Sequence, residues 1–587
     1  MMRISEPARI RATEFLEKET QFHLGFLPTE QSNPKTRNLD KVFAADPAAG
    51  VDLLFAVDED VVAMAGKVFA SAEFAKMLAA AEATMRRGGK LIFSGCGATG
   101  RLSIVLESMW RTFFRRLEAE KPGVFAKVAC FEQQVASIMT GGDYALVKSV
   151  ESFEDYPQFG RRQAQELHIG PADMLVAITE GGETSSVLGT VDAAVEVGAA
   201  AFLLFNNPAD ILRRHLERSR RAIENPAVTV LDLHCGPMAL AGSTRMQATT
   251  SEQLVAGAML EKLLAKLLRG ALTAAELAEL PDSEIDYAGA MRRLVAGLRQ
   301  PAARRAIAEY IGFEAELYRK GGLVTYFADE FILDIFTDTT ERSPTFMTPP
   351  FRKCDDRKSP PSWAFVKTER FSTPDAWRHY LGREPRCLDW TVADYVAMKS
   401  PEKIVAAPPA ISKAELYKFP IGCEVDPSRF GAAENAAVDI LAGGEYRPGR
   451  PTDPAPFKAR RTLVIGDAAT PVESGVMQIP GRVEPTLLKL MSRLQTKLVM
   501  NTVSTGTMVL LGRVAGNWMS FVSMSNKKLI DRCIRLIAEL GGVEYQEACL
   551  ALHQSMIEIE NTDFTGREAP SPVQYTLAKL GKAAAGK

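Results

Sequence analysis

The stretch Gly88–Arg101, GGKLIFSGCGATGR, decides how the chain is read. A helix-stopping glycine pair is followed by the apolar segment Leu91–Ser94, then by small residues, then by a helix start. That is the pattern of a strand feeding a tight loop. Gly95, Gly97 and Gly100 permit a close backbone turn, and the helix behind them offers N–H groups without partners. An anion is the natural guest, with Gly97, Ala98 and Thr99 placed to hold it through N–H and hydroxyl groups. Glycine-rich strand-to-helix turns also occur for purely structural reasons, so the specificity must come from the rest of the chain.

Upstream, Phe74, Met77, Leu78, Ala81 and Met85 recur at helical spacing. Downstream, strands are expected at Lys127–Phe131, Met174–Ile178, Ala201–Phe205 and Val228–Leu233, with helical segments between them. Short apolar strands alternating with helices predict a parallel sheet covered on both faces, a flavodoxin-like α/β domain. Ligands of such sheets sit at the carboxyl ends of strands, which gathers Gly95–Gly100, Thr179–Ser186 and Cys235–Arg245 around one site.

The pattern resumes with Leu323–Phe327 and later Thr462–Ile465. Laid without gaps, Gly89 pairs with Gly321, Leu91–Ser94 with Leu323–Tyr326, and Met109 with Glu341, all at an offset of 232. This is a tandem repeat. Its second copy puts Phe327–Ile332 where the first has small residues, and bulky side chains with two carboxylates, Asp329 and Glu330, cannot cradle an anion. The expected organisation is an arm over 1–50, an α/β domain with the loop over 51–283, a second domain with a degenerate loop over 284–490, and a helical cap over 491–587. Proline, glycine and charge mark Phe346–Trp363 and Gly443–Phe457 as surface loops.

A chain of 587 residues exceeds one core. With a net charge of −2 there is no basic footprint, which argues against a nucleic-acid partner. The eight cysteines form no CxxC pair, and neither they nor the six histidines show metal-ligand spacing, so no metal or cofactor is expected. His234 reads as structural, as does Glu107, offset by two from Met109. The charged N-terminus and the absence of a long apolar run lead to the expectation of a soluble, cytoplasmic protein with no membrane partner.

Five motifs stand in order along the chain: TEQSNP (Thr29–Pro34), GCGATGRL (Gly95–Leu102), GGDYALVKSVESFED (Gly141–Asp155), GSTRM (Gly242–Met246) and KLVMNTVSTGTMVLLGRVAGN (Lys497–Asn517). On these the chain resembles the sugar isomerase (SIS) superfamily. Within it the chain is similar to the N-acetylmuramic acid 6-phosphate etherases and, in its tandem layout with a C-terminal cap, to the glucokinase regulatory proteins. The resemblance implies two tandem flavodoxin-like SIS domains plus a helical cap, a covalent counterpart of a dimer that is a monomer or a higher oligomer. A single sugar-phosphate site is implied between the halves.

The etherases' two catalytic glutamates map onto Glu151 in KSVESFED and, because the first copy carries Met109, onto Glu341 in TDTTERSPTF. Two carboxyl groups of unlike protonation suit acid/base chemistry on an open-chain sugar, whose C2 proton is acidified by the neighbouring carbonyl. Expulsion of a C3 ether oxygen gives an etherase-like lyase; return of the proton to C1 gives an isomerase. Further implied contacts are Thr179, Glu180, Gly181 and Thr184 in ITEGGETSS, and Lys497 from the cap. Ser243 and Thr244 in GSTRM either donate to substrate oxygens or cap a helix. Glu180 and Glu183 put acids where the family usually has neutral or basic residues. The alternative implied function is a non-catalytic sugar-phosphate sensor regulating a protein partner such as a sugar kinase.

Overall fold

The computed structural model describes residues 2–150, 153–281, 285–430, 434–449, 454–522, 524, 526–564 and 569–581. Two five-stranded parallel sheets organise them. The first holds β1 (Leu91–Gly95), β2 (Val135–Met139), β3 (Met174–Ile178), β4 (Ala200–Phe205) and β5 (Val228–Asp232), in the order β2-β1-β3-β4-β5. The second holds β6 (Val324–Phe327), β7 (Ala364–Lys367), β8 (Ala436–Ala442), β9 (Ala459–Ile465) and β10 (Met477–Ile479), in the order β7-β6-β8-β9-β10. Both sheets therefore wind identically: second strand, first, third, fourth, fifth. The offset of 232 seen between Leu91 and Leu323 aligns β1 with β6, so the repeat in the sequence is a repeat in topology.

One expected strand is corrected. Lys127–Phe131 is not a strand: Pro122–Val128 is helical, Ala129–Gln134 is a 3-10 turn, and the strand is Val135–Met139. Pro122 opens that helix at no cost, because the first-turn N–H it lacks has no helical partner. Every residue of Val135–Met139 is buried, as a covered strand requires.

Helix α1 (Glu6–Lys18) gives structure to an arm that shows no sustained period in the sequence. Among the C-terminal helices α9 (Lys527–Gly541), α10 (Tyr545–Glu560) and α11 (Pro572–Lys579) it packs on α10, burying Ala12 and Phe15 in an apolar cluster to which all three contribute. Between these ends come α2 (Pro47–Phe69), α3 (Ala98–Glu120), α4 (Ser185–Glu196), α5 (Gln247–Ala271), α6 (Pro301–Arg319), α7 (Ile332–Phe346) and α8 (Leu490–Leu510). Helix α8 packs on α6 and α7.

The helices that follow β1 and β6, α3 and α7, pack against each other, which joins the two halves of the repeat. One apolar core runs through both units and contains Met109, Trp110, Phe336 and Trp377. A buried ionic cluster crosses the same boundary: Glu107 pairs with Arg111, Arg383 and Arg386, and Arg383 also pairs with Asp143. Burial alone would raise the Glu107 carboxyl, but Arg383 and Arg386 override it and hold it down at about 2. No helix among the described residues is long and apolar enough to cross a membrane.

Candidate functional site

The small-residue loop after β1 divides its labour. A Cβ at Gly95 would lie 2.4 Å from the Thr99 carbonyl carbon, and one at Gly100 would lie 2.7 Å from Met139 Cγ, so both glycines are required by packing. Gly97 differs: it precedes α3 with φ +56°, and a Cβ there would meet open space. It lines a cleft of about 140 Å³. Gly97 and Ala98 line that cleft beside the first turn of α3, where a helix leaves N–H groups unpaired and favours negative charge. Thr99 does not line it. Its hydroxyl donates to the Cys96 carbonyl at 2.8 Å and accepts the Cys96 N–H at 3.0 Å, so it ties the loop shut.

The loop after β3 supplies Glu180, Gly181, Glu183 and Thr184 to the same cleft. Thr179 is fully buried behind them and donates its hydroxyl to Thr184 Oγ1 at 3.0 Å. Thr184 accepts that bond and keeps its own proton for a ligand. From the GSTRM segment come Gly242, Ser243, Thr244 and Arg245. The Ser243 hydroxyl is buried and has no hydrogen-bond partner among the described residues, an unsatisfied donor in the cleft wall.

The second unit contributes Glu341, Pro344 and Thr345 from α7. Glu341 forms an ion pair with Arg101, which belongs to α3 of the first unit and is wholly buried. The Arg101 guanidinium also donates to the Ala145 and Leu146 carbonyls at 3.0 and 3.1 Å and to Ser149 Oγ at 3.1 Å. One arginine thus fixes the second unit's glutamate beside the first unit's anion loop.

Lys497 is not on the cleft wall, contrary to expectation. Its ammonium donates to the Arg245 carbonyl at 2.9 Å, Thr250 Oγ1 at 2.8 Å and Asn501 Oδ1 at 2.8 Å. These bonds pin the GSTRM segment from behind, and burial pulls the amine's pKa down. Glu151 lies outside the described residues. Its neighbour Glu154 lines the cleft.

Several cleft residues escaped the sequence reading. Lys528 and Arg532, one turn apart on α9, both face the cleft. Lys528 pairs with Glu154 at 2.9 Å and reaches Glu183 at 3.6 Å, and Arg532 pairs with Glu30 at 2.7 Å. Arg218 adds a 2.7 Å bond to Glu183, whose carboxyl burial would raise but Lys528 and Arg218 hold below the usual range. Glu30 and Glu154 lie inside the quoted motifs TEQSNP and GGDYALVKSVESFED. The signal for Lys528 and Arg532 is their spacing on an amphipathic helix, which by itself describes any solvated face. Among the described residues no group of His, Cys, Asp and Glu could hold a metal ion.

The second unit's counterpart of the loop is filled from within. Glu330, at an offset of 232 from Ala98, donates its backbone N–H to Glu445 Oε1 at 3.2 Å, and the Ala442 N–H donates to Glu445 Oε2 at 2.7 Å. A built-in carboxyl group therefore takes the Glu330 N–H, at the position that Ala98 holds in the first loop. The counterpart of Glu341, Met109, is packed into the core.

Comparison with known proteins bears on this arrangement. Residues 73–195 match the family model described as the glucokinase regulatory protein N-terminal SIS domain. An N-acetylmuramic acid 6-phosphate etherase from Rippkaea orientalis is 33% identical over 228 residues, covering 38% of this chain and 64% of that protein. One from Crocosphaera subtropica is 31% identical over 246 residues, covering 41% of this chain and 70% of that protein. The chain thus spans a little under two thirds of the length of the first of these relatives. A solved structure, the C-terminal domain of glucosamine-fructose-6-phosphate aminotransferase from Francisella tularensis, aligns over 75% of this chain and 95% of that one with a TM-score of 0.37 and 10% identity.

Proposed function

Because the chain belongs to the family of the N-acetylmuramic acid 6-phosphate etherases, within the SIS superfamily, we propose that it binds a phosphorylated amino sugar in the cleft between its two α/β units and eliminates a 3-O-ether from it. The observation that carries this reading is the Arg101–Glu341 pair, which sets a carboxylate of one unit beside the anion loop of the other. The phosphate lies against Gly97, Ala98 and the start of α3, with Ser243, Thr244 and Thr184 donating hydroxyls. Glu341, ion-paired and acceptor-only, takes the C2 proton of the open-chain sugar. Elimination then breaks the C3–O bond. Support for a single site comes from the second unit's loop, where the Glu330 N–H is bonded to the Glu445 carboxyl, and from Met109, which stands in the first unit where the second has Glu341.

The test is incubation of the full chain with N-acetylmuramic acid 6-phosphate and measurement of released lactate. Wild type is expected to release it; Glu341→Gln and Glu151→Gln are not. Binding of the sugar phosphate with no turnover by wild type refutes the lyase reading. That outcome leaves the sensor reading, favoured by the match of residues 73–195 to a regulatory protein's SIS domain.

A further inference from the structure

The cleft contains more carboxylates than a site for an anionic ligand needs, and their pairing is uneven. Glu341 has Arg101, Glu183 has Arg218, Glu154 has Lys528, and Glu30 has Arg532. Glu180 has none: among the described residues no cation lies within ion-pair distance of its carboxyl. Its side-chain contact is neutral, the Thr249 hydroxyl at 3.4 Å. Thr249 has one hydroxyl proton, and the Thr244 carbonyl, at 3.0 Å, is the closer acceptor for it. The Thr249 oxygen is then left to accept from Glu180 rather than donate to it.

The charges around Glu180 point the same way. On its own loop stands Glu183; Glu154 faces it from the segment after β2, Glu341 from α7, and Glu252 from α5, one turn beyond Thr249. The nearby cation is Lys528 on α9, already bonded to Glu154 and shared with Glu183, while Arg245 is bonded to Asp338. Glu252 is fully buried with one carboxyl oxygen lacking a partner among the described residues, and burial together with Glu180 drives its pKa well up. A buried carboxylate without a cation, among four others, is expensive, and protonation is the cheapest remedy.

We propose that Glu180 stands in the cleft as an uncharged carboxylic acid and is the proton donor to the ligand oxygen that faces it. Burial pushes this group up to about 7, outweighing its own backbone N–H and Lys528, which pull it down, while Glu341 and Glu154 add smaller upward pushes; both forms are then populated near neutrality. Resting on the elimination reading above, the step balances as follows. The C2–H proton passes to the acceptor carboxylate, and the C2–H electron pair forms the C2=C3 bond. The C3–O bond breaks with its pair on oxygen, and that oxygen takes the Glu180 proton, leaving Glu180 as carboxylate.

Two measurements on the full chain test this. The first is calorimetric binding of N-acetylglucosamine 6-phosphate, which has no ether to lose, at pH values below and above neutrality for wild type and Glu180→Gln. Wild-type affinity is expected to fall about tenfold for each pH unit above the Glu180 pKa, whereas Glu180→Gln, an amide donor at every pH, keeps only the dependence that the ligand's phosphate imposes. Parallel profiles overturn the proposal. The second needs no ligand: an infrared titration in which the protonated-carboxyl band of wild type at neutral pH is weaker in Glu180→Gln by the intensity of one carboxyl group, the remainder belonging to other buried acids such as Glu252. If that band is equal in both proteins the proposal is wrong. Failure of either protein to bind the sugar phosphate, with the band difference present, instead refutes the substrate and leaves the acid in place.

Discussion

Replacing Ser243 by alanine separates a ligand-binding hydroxyl from a structural one. Among the described residues this buried hydroxyl has no partner, which costs about 1–3 kcal/mol relative to a satisfied group. Ser243→Ala removes that burden and no protein hydrogen bond of the side chain. The melting temperature of the free protein is therefore expected to stay unchanged or rise. With a phosphate in the cleft the same hydroxyl donates to a charged oxygen, a bond that contributes about 1.5–3 kcal/mol. Its loss is expected to weaken binding by tenfold to about 150-fold, since each 1.4 kcal/mol is about a factor of ten. Calorimetry with N-acetylglucosamine 6-phosphate, together with thermal unfolding of both proteins without ligand, reads both quantities. An affinity within about twofold of wild type refutes the assignment. So does a lowered melting temperature, because it would mean that the hydroxyl holds the fold.

Three further outcomes are expected. Arg101→Leu strands the Glu341 carboxylate and two backbone carbonyls; breaking a buried pair costs about 3–5 kcal/mol, and since Glu341 keeps 15% exposure the lower end applies, to be read as a shift of the urea transition. Gly97→Ala places a side chain in open space at positive φ, so it costs about 1–2 kcal/mol of strain and weakens sugar-phosphate binding, whereas Gly100→Ala drives its Cβ into Met139 and lowers soluble yield. Glu107 has a folded pKa of about 2 against an ordinary 4.5, so its stabilisation is fully present above pH 4.5 and is lost as pH falls towards 2. That contribution is at most about 3 kcal/mol, and acid titration of unfolding is expected to lack this slope in Glu107→Gln.

Much of the fold was legible because covered parallel strands are written as short apolar runs. Met174–Ile178, Ala201–Phe205 and Leu323–Phe327 each fall on a strand within a residue or so. Lys127–Phe131 misled because four or five mixed residues carry no period that tells a helix end from a strand. At the site, Gly97, Ala98, Glu180, Gly181, Thr184, Ser243, Thr244 and Glu341 all reach one cleft, whereas Thr99, Thr179 and Lys497 bond to the protein's own groups. A motif reports residue type and order. It does not report whether a hydroxyl or an amine already has a partner.

By itself the sequence determined the two α/β units, their repeat at an offset of 232, and the exchange of Glu341 for Met109 between them. Those features are local or periodic, so a single chain displays them. Only the tertiary structure decided that Arg101 joins Glu341 across the repeat, that the Glu445 carboxyl takes the Glu330 N–H in the second unit's loop, and that Glu180, unlike the other cleft acids, has no cation within ion-pair distance among the described residues. Each of these depends on which charges and donors come within about 3–4 Å of one another after folding, and contacts between residues distant in the chain leave no trace in local pattern.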